Sequence, residues 1–300
     1  MSQLAFGCGP VGGRGEAGRA ESLAALDAAW AGGIRHFDTA PSYGDGAGER
    51  LLGEALRHWP RPAVTVTSKV GRLRMAIADP YRADPGARRD PAFDFTASGV
   101  RRGVVDSLAR LGIEYLDEVL VHDPDDQLDL ALAETFPVLH ELKAAGTVRA
   151  VGVGTTSVPA ARRLVAIGVV DVVMIANGWT LTRRDAAVLL DECAAAGVAV
   201  QAAAPFDSGL LATDDPAPDA RYLYRPVPAT VLATAREMAR VCRAAGVTLP
   251  HAALQFPTRH PAVSRVVAGM RSAAEVRRNL ALLADPVPEA LWAELAQVLR

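Results

Sequence analysis

Short β-branched runs recur along the chain, each followed by an Ala/Leu/Arg-rich stretch of helical period. The apolar runs fall at residues 4–8, 34–37, 64–68, 118–121, 148–153, 171–175, 198–202 and 263–267. Between them, stretches such as 21–33, 49–59, 97–112, 132–146, 158–168, 183–197 and 230–246 repeat apolar positions at the spacing that lines one helix face. Five of these stretches run into Gly112, Gly146, Gly168, Gly197 and Gly246, the residue type that most readily takes the left-handed backbone closing a helix. Near-continuous apolar strands separated by helices imply parallel strands buried on both faces. Eight such units over about 250 residues predict a (β/α)8 barrel, a TIM barrel, as a single domain over residues 1–300. An open doubly wound sheet is the rival. It would place a G-x-G-x-x-G turn after its first strand, whereas residues 7–15 read GCGPVGGRG, without that spacing. Two long Pro/Asp/Arg-rich loops, 70–95 after the third strand and 207–228 after the seventh, would lie over the carboxyl face of the barrel.

Composition narrows the function classes. Half of the residues are hydrophobic and mean hydropathy is +0.14, enough for a large core and incompatible with general disorder. Thirty-two basic and 34 acidic residues nearly cancel, with no basic stripe of the kind that tracks a phosphate backbone, so no nucleic-acid partner is expected. Cys8, Cys193 and Cys242 lie far apart without Cys/His pairing, which argues against a disulfide framework and against a metal site. No signal-like N-terminus and no membrane-length apolar run are visible, so a cytoplasmic protein with no membrane partner is expected. No pattern specifies an oligomer.

Candidate chemistry sits where strands end. The second strand runs into Asp38, with Tyr43 following in DTAPSYGDG; the third runs into Lys69 and the fourth into His122. Neighbouring strands lie about 4.8 Å apart, so these side chains can converge. Lys69 and Lys143 are the only lysines in a chain that otherwise takes its cations as arginine. Each residue alone has an ordinary reading: a snorkelling lysine, a hydrogen-bonded histidine, a turn-capping aspartate, a loop tyrosine. Their conjunction at consecutive strand ends points to proton transfer. A phenol ionises near pH ~10, an ammonium beside it lowers that value, and a carboxylate holds the ammonium in place. Nothing in the chain supplies electrons, so hydride chemistry needs a borrowed cofactor. Two other readings stay open on these residues: a lyase using Lys69 to form a Schiff base, and a non-catalytic cofactor-binding subunit. His36 shares strand parity with Asp38 and is read as structural.

Several separated segments resemble the aldo-keto reductase family. GIRHFDTAPSYGDGAGERLLGEAL (33–56) is similar to that family's signature carrying its catalytic Asp and Tyr. VTVTSKV and VLVHDPDD resemble its Lys and His segments, and LKAAGTVRAVGVG and VVAGMRSAAEVRRN its fifth-strand and cofactor segments. The resemblance runs from about residue 4 to 282. It implies a (β/α)8 barrel, NAD(P)-dependent oxidoreduction of a sugar or aldehyde, and the tetrad Asp38, Tyr43, Lys69 and His122. Residues 177–213 most resemble the aldose 1-dehydrogenase branch, which implies hydride transfer at the C1 hydroxyl of an aldose or similar alcohol. An NADPH-dependent aldehyde or ketone reductase is the alternative within the family.

The sequence also departs from the family. Gly154 and Thr155 stand where a Ser-Asn pair often holds nicotinamide, Met174 replaces a common Gln, and Ala203 replaces a stacking aromatic. The first strand begins almost at the start, leaving no room for the family's N-terminal hairpin. The nicotinamide is therefore assigned to Asn177, with Trp179 and Phe206 nearby. Ser208, Gly209 and Leu210 are assigned to the pyrophosphate, and Gly269, Arg271, Glu275 and Asn279 to the adenosine end. Counting back from Asn279, the positions that carry Lys, Ser and Arg in NADP-using relatives hold Gly269, Met270 and Glu275, so NAD is preferred over NADP, against the counterweight of Arg271, Arg277 and Arg278. Tyr81, Trp179 and Phe206 are the expected substrate contacts.

Overall fold

Eight parallel strands close on themselves in the computed structural model, which describes residues 3–12, 15–74 and 92–299. They are β1 (Leu4–Gly7), β2 (His36–Asp38), β3 (Thr65–Val70), β4 (Leu116–His122), β5 (Val148–Thr155), β6 (Val172–Ala176), β7 (Ala199–Ala203) and β8 (Val263–Gly269). Each pairs with its neighbours in sequence, and β8 closes on β1 through Leu4–Val266 to Gly7–Gly269. An open sheet would leave β1 or β8 with a free edge, so the doubly wound alternative is excluded. Strand ends differ from the sequence reading by at most two residues. At β2, Ile34 still donates its amide to Ala29 and closes the preceding helix, so the strand starts at His36 and contains Asp38.

The helices are α1 (Gly15–Ala31), α2 (Ala47–Leu56), α3 (Ala97–Leu111), α4 (Phe136–Ala144), α5 (Val158–Ile167), α6 (Ala187–Ala196), α7 (Ala229–Ala244), α8 (Leu249–Gln255), α9 (Ala273–Ala284) and α10 (Glu289–Val298). All five expected glycine stops are left-handed, with φ between 66° and 80°. A wide π-turn at Ala131–Thr135 leads into α4, whose Pro137 has no amide for the carbonyl four residues earlier. Helices α8 and α10 were not marked by the sequence reading. With α7 they bury a second apolar cluster that includes Met238, Leu249, Phe256, Leu291 and Leu295. Both long loops contain hairpins: Arg72–Arg74 pairs with Ala92–Phe93, and Arg221–Tyr222 with Arg225–Pro226.

Inside the barrel, the upper layer is apolar around the tetrad (Ala5, Leu120, Val172, Met174, Val267). Below it, toward the amino ends of the strands, lies a polar chain. His36 Nε2 lies 2.8 Å from Thr67 Oγ1, and the Thr67 hydroxyl and Gln201 amide both donate to Glu118, at 2.6 and 2.7 Å. Burial and the nearby Arg265 push His36 from its ordinary 6.5 down to about 3. This outweighs the Glu118 carboxylate 3.5 Å away, whose acceptor oxygen already takes two donors. His36 is thus a neutral, structural histidine.

The unfolded chain protonates His36 near its ordinary value and the folded one does not, so its contribution is lost as pH falls below about 6.5. Between pH 7 and 5 this costs roughly 2 kcal/mol. His36→Gln should show about that much less loss of stability over the same interval, read by urea denaturation, because every other titrating group is common to both proteins. An equal or steeper loss in the variant would mean that His36 is protonated in the fold and paired with Glu118.

Candidate active site

The site is built on an ion pair in the barrel. Lys69 Nζ donates to Asp38 Oδ1 at 2.5 Å and to the Thr39 carbonyl at 3.0 Å. Both side chains are buried, at 2% and 3% exposure. Adjacent strands deliver them, and Gly154 on β5 lies beside the lysine stem, where an added Cβ would make ordinary contact with Lys69 Cε at 3.5 Å. Beneath the site, Glu49 on α2 accepts from Ser68 at 2.7 Å and Arg110 at 2.5 Å, tying the helix that follows Tyr43 to β3 and α3.

Tyr43 and His122 complete the cluster. Lys69 Nζ stands 4.7 Å from the Tyr43 ring centroid, and the His122 ring meets Tyr43 edge-on, centroids 6.1 Å apart at 89°. The sequence reading expected the ammonium to lower the tyrosine's pKa. The geometry does the reverse. Lys69 is already paired with Asp38, while burial pushes Tyr43 well above 10, with Asp38, Tyr224 and Asp123 adding to the rise. Tyr43 is a protonated acid here. Burial, Lys69 and Arg72 hold His122 well below its ordinary range, so its imidazole is neutral and able to donate one N–H to an oxygen. Burial raises Asp38, and the Lys69 ammonium pulls it back. The engagement of Lys69 by Asp38 and the Thr39 carbonyl disfavours the Schiff-base reading.

Backbone strain marks the same face. Among the described residues, eight non-glycine residues are left-handed: Asp45, Asp123, Asn177, Ala204, Asp207, Ser208, Leu223 and Tyr224. All follow the carboxyl ends of β2, β4, β6 or β7. Each costs about 1 kcal/mol or more, and such strain collects at functional sites.

The residues assigned to a cofactor divide into three groups. Asn177, at the end of β6, is 1% exposed, and neither Oδ1 nor Nδ2 has a partner. An orphaned carboxamide is what a nicotinamide carboxamide would satisfy. Asn279 on α9 likewise has a buried, unpartnered Oδ1, and Gly269 is exposed at the end of β8. These three residues fit a nicotinamide dinucleotide. The turn after β7 fits less well than expected. The Gly209 and Leu210 amides already donate to Phe206 and Asp207, Leu210 is buried among helices, and Ser208 Oγ accepts from the Tyr224 amide at 3.0 Å. Glu275 is engaged too. Its carboxylate accepts from the Arg271 amide at 2.9 Å and from Arg271 Nε at 3.1 Å, while its own amide donates to Ser272. The Ser272-x-x-Glu275 spacing of a capping box was legible in the sequence.

Thr155, at the position of a family nicotinamide ligand, instead donates to Asp125 at 2.7 Å and accepts from the Ser157 amide. Trp179 is turned to packing: its indole donates to Pro257 at 3.2 Å and its ring meets Phe256 and His260. Phe206 is half-buried between the two apolar clusters. Tyr81 lies outside the described residues. Two residues near the tetrad were missed by the sequence reading. Arg72 and Asp123 form an ion pair beside His122, and their only sequence signal was their place directly after the Lys and His strands. Among the described residues no three His, Cys, Asp or Glu side chains are grouped to hold a metal, and no helix is long and apolar enough to cross a membrane.

The sequence matches the Aldo/keto reductase family over residues 3–300. The chain belongs to that family. It is 39% identical to a D-threo-aldose 1-dehydrogenase of a Pseudomonas species, over 92% of this chain and 87% of that protein. It is 31% identical to a pyridoxal 4-dehydrogenase of Microbacterium luteolum, over 98% of this chain and 93% of that one. Its fold is similar to that of an aldo-keto reductase from Bacillus halodurans (holo form), with a TM-score of 0.80 at 23% identity, covering 100% and 93% of the two chains. This aldo-keto reductase is an NAD(P)-dependent oxidoreductase.

Breaking the buried pair from one side should destabilise strongly. Asp38→Asn strands the ammonium and should cost about 3–5 kcal/mol in urea denaturation, whereas Asp38→Leu/Lys69→Met should cost less than either of its single changes. Additive losses in the double variant would show that the two side chains are not coupled.

Proposed function

We propose that this aldo-keto reductase interconverts an aldose and its lactone at C1, or a similar small alcohol and carbonyl, using NAD. The observation that carries the reading is the Tyr43 ring held between the paired Lys69 and a neutral His122, above Asp38. The aldose assignment draws on the similarity to the D-threo-aldose enzyme. A bound nicotinamide supplies the carbon that accepts or gives hydride. The chain's own residues handle the proton and the geometry.

For reduction, the substrate carbonyl oxygen sits between the Tyr43 hydroxyl and the His122 N–H. His122 orients and polarises that oxygen, and Tyr43 gives up its proton as negative charge develops there. In oxidation the substrate hydroxyl returns a proton to Tyr43 as the phenolate. The Lys69 ammonium stands 4.7 Å from the centroid of that ring, and Asp38 keeps it in position. Asn177 orients the carboxamide of the cofactor. Because burial holds Tyr43 as the protonated acid, the resting site is set for reduction, and oxidation should speed up as pH rises.

Tyr43→Phe keeps the ring and removes the transferable proton. Turnover should fall by about 10²–10⁴ while cofactor affinity, read by fluorescence titration, stays within a fewfold. Turnover near that of the wild type would remove Tyr43 from this role.

The NAD preference rests on Glu275 and its pair with Arg271. The carboxylate favours a free ribose hydroxyl over a 2′-phosphate and also holds the arginine that could otherwise reach such a phosphate. We expect kcat/KM to be roughly ten- to a hundredfold higher with NAD than with NADP, and Glu275→Arg to narrow that ratio. A wild-type preference for NADP, or an unchanged ratio in the variant, would contradict it.

A further inference from the structure

The register of β3 on β4 carries two more residues into the site. Val70 lies opposite Val121, so two positions further on Arg72 comes level with Asp123, and the two form an ion pair just beyond Lys69 and His122. Both approach through left-handed backbone. Gly71 has φ +90°, and a Cβ on it would strike the Phe95 ring, so only glycine fits where the chain turns toward Arg72. Asp123 itself has φ 48°, a conformation unfavourable to any residue with a Cβ. Successive strand residues face opposite sides of a sheet, and His122 faces Tyr43. The left-handed turn brings the Asp123 carboxylate back to the His122 side, with Oδ2 3.8 Å from Nε2.

That separation is too long for the two groups to bond to each other, since an N–H···O bond closes at about 2.9 Å. It suits a substrate that bonds to both. His122 Nδ1 is buried without a partner, so Nε2 is the nitrogen a substrate can meet. The carboxylate in front of Nε2 favours the tautomer with its proton there. Arg72 donates to Oδ2, and Oδ1 of Asp123 accepts nothing among the described residues. The guanidinium also opposes the effect of burial on Asp123 and favours the carboxylate form. A donor from His122 therefore stands beside a free acceptor from Asp123. Two oxygens on adjacent carbons match this order: a carbonyl that accepts and a neighbouring hydroxyl that donates.

We propose that Asp123, held by Arg72, receives the hydroxyl on the carbon next to the reacting one, so that the site selects α-hydroxy carbonyls and the matching 1,2-diols over simple aldehydes and alcohols. The inference rests on His122 holding the reacting oxygen, as in the function proposed above, and adds the residue that reads the neighbouring carbon. An aldose carries this pair of oxygens at C1 and C2. An ion pair that only ties the two loops together would serve substrates with and without the second hydroxyl alike.

The test is kcat/KM for both enantiomers of lactaldehyde and for propanal, which lacks only the α-hydroxyl, with the reduced nicotinamide cofactor that the wild type uses better. The proteins are the wild type, Asp123→Asn and Asp123→Gly. Glycine removes the carboxylate and suits the positive φ; asparagine tolerates that φ and keeps an uncharged acceptor. The wild type should prefer one lactaldehyde enantiomer over propanal by about ten- to a hundredfold, the worth of a hydrogen bond to a charged acceptor. Asp123→Gly should bring that ratio to within about threefold of one, with Asp123→Asn between. Hydration of the aldehydes is common to all three proteins, and any general damage to the site is common to both substrates, so neither mimics a collapse of the ratio. A wild-type ratio near one with both aldehydes reduced, or a ratio unchanged in Asp123→Gly, would overturn this inference alone. Failure of the wild type to reduce either aldehyde would overturn it together with the carbonyl reading on which it rests.

Discussion

The buried ion pair between Lys69 and Asp38 is the constraint on which the rest of the site depends. Two charges at 2–3% exposure are tolerable only because each answers the other and because the Thr39 carbonyl takes a further ammonium proton. Their mutual pairing also decides the electrostatics above them. A free ammonium would pull Tyr43 toward the phenolate; a paired one leaves burial dominant, and the phenol keeps its proton. The same cation helps to keep His122 neutral, so one ion pair sets an acid and a hydrogen-bond donor side by side.

The barrel separates stability from chemistry along its axis. At the amino ends of the strands the interior is a closed polar chain of His36, Thr67, Glu118 and Gln201 under a packed apolar layer. At the carboxyl ends the left-handed residues accumulate, with the unpaired carboxamide of Asn177 and, on α9, the unpaired Oδ1 of Asn279. Strain of several kcal/mol on one face needs a scaffold that over-determines it. The continuous ladder of eight strands and the glycine-capped helices provide that scaffold.

What could be read from the sequence follows from how local each signal is. Strand and helix positions were legible because apolar period is local, and so were Asp38, Lys69 and His122, since a barrel brings consecutive strand ends together by topology alone. Tyr43 was legible only with them. The hydrogen-bond partners of exposed turns were not. That the Gly209 and Leu210 amides are consumed within their own turn depends on Asp207 and Ser208 being left-handed, which neither residue type announces. The engagement of Trp179 with Pro257 joins residues 78 apart in sequence, and the pairing of Tyr224 with Ser208 spans a hairpin whose turn residues disguise it. The direction of the Tyr43 shift was misjudged because it is set first by burial of the phenol, which residue types at strand ends do not announce.

The most direct test of this account is the ionisation of Tyr43 itself. With five tyrosines in the chain, 13Cζ-tyrosine labelling gives a small set of resonances, and the one lost in Tyr43→Phe identifies the site. In the cofactor-free protein that resonance should remain in its protonated position up to pH 10 and beyond, because burial and Asp38 outweigh the paired lysine. A titration below pH 10 would contradict the account, since it would mean that the Lys69 ammonium, and not burial, governs the proton at the centre of the site.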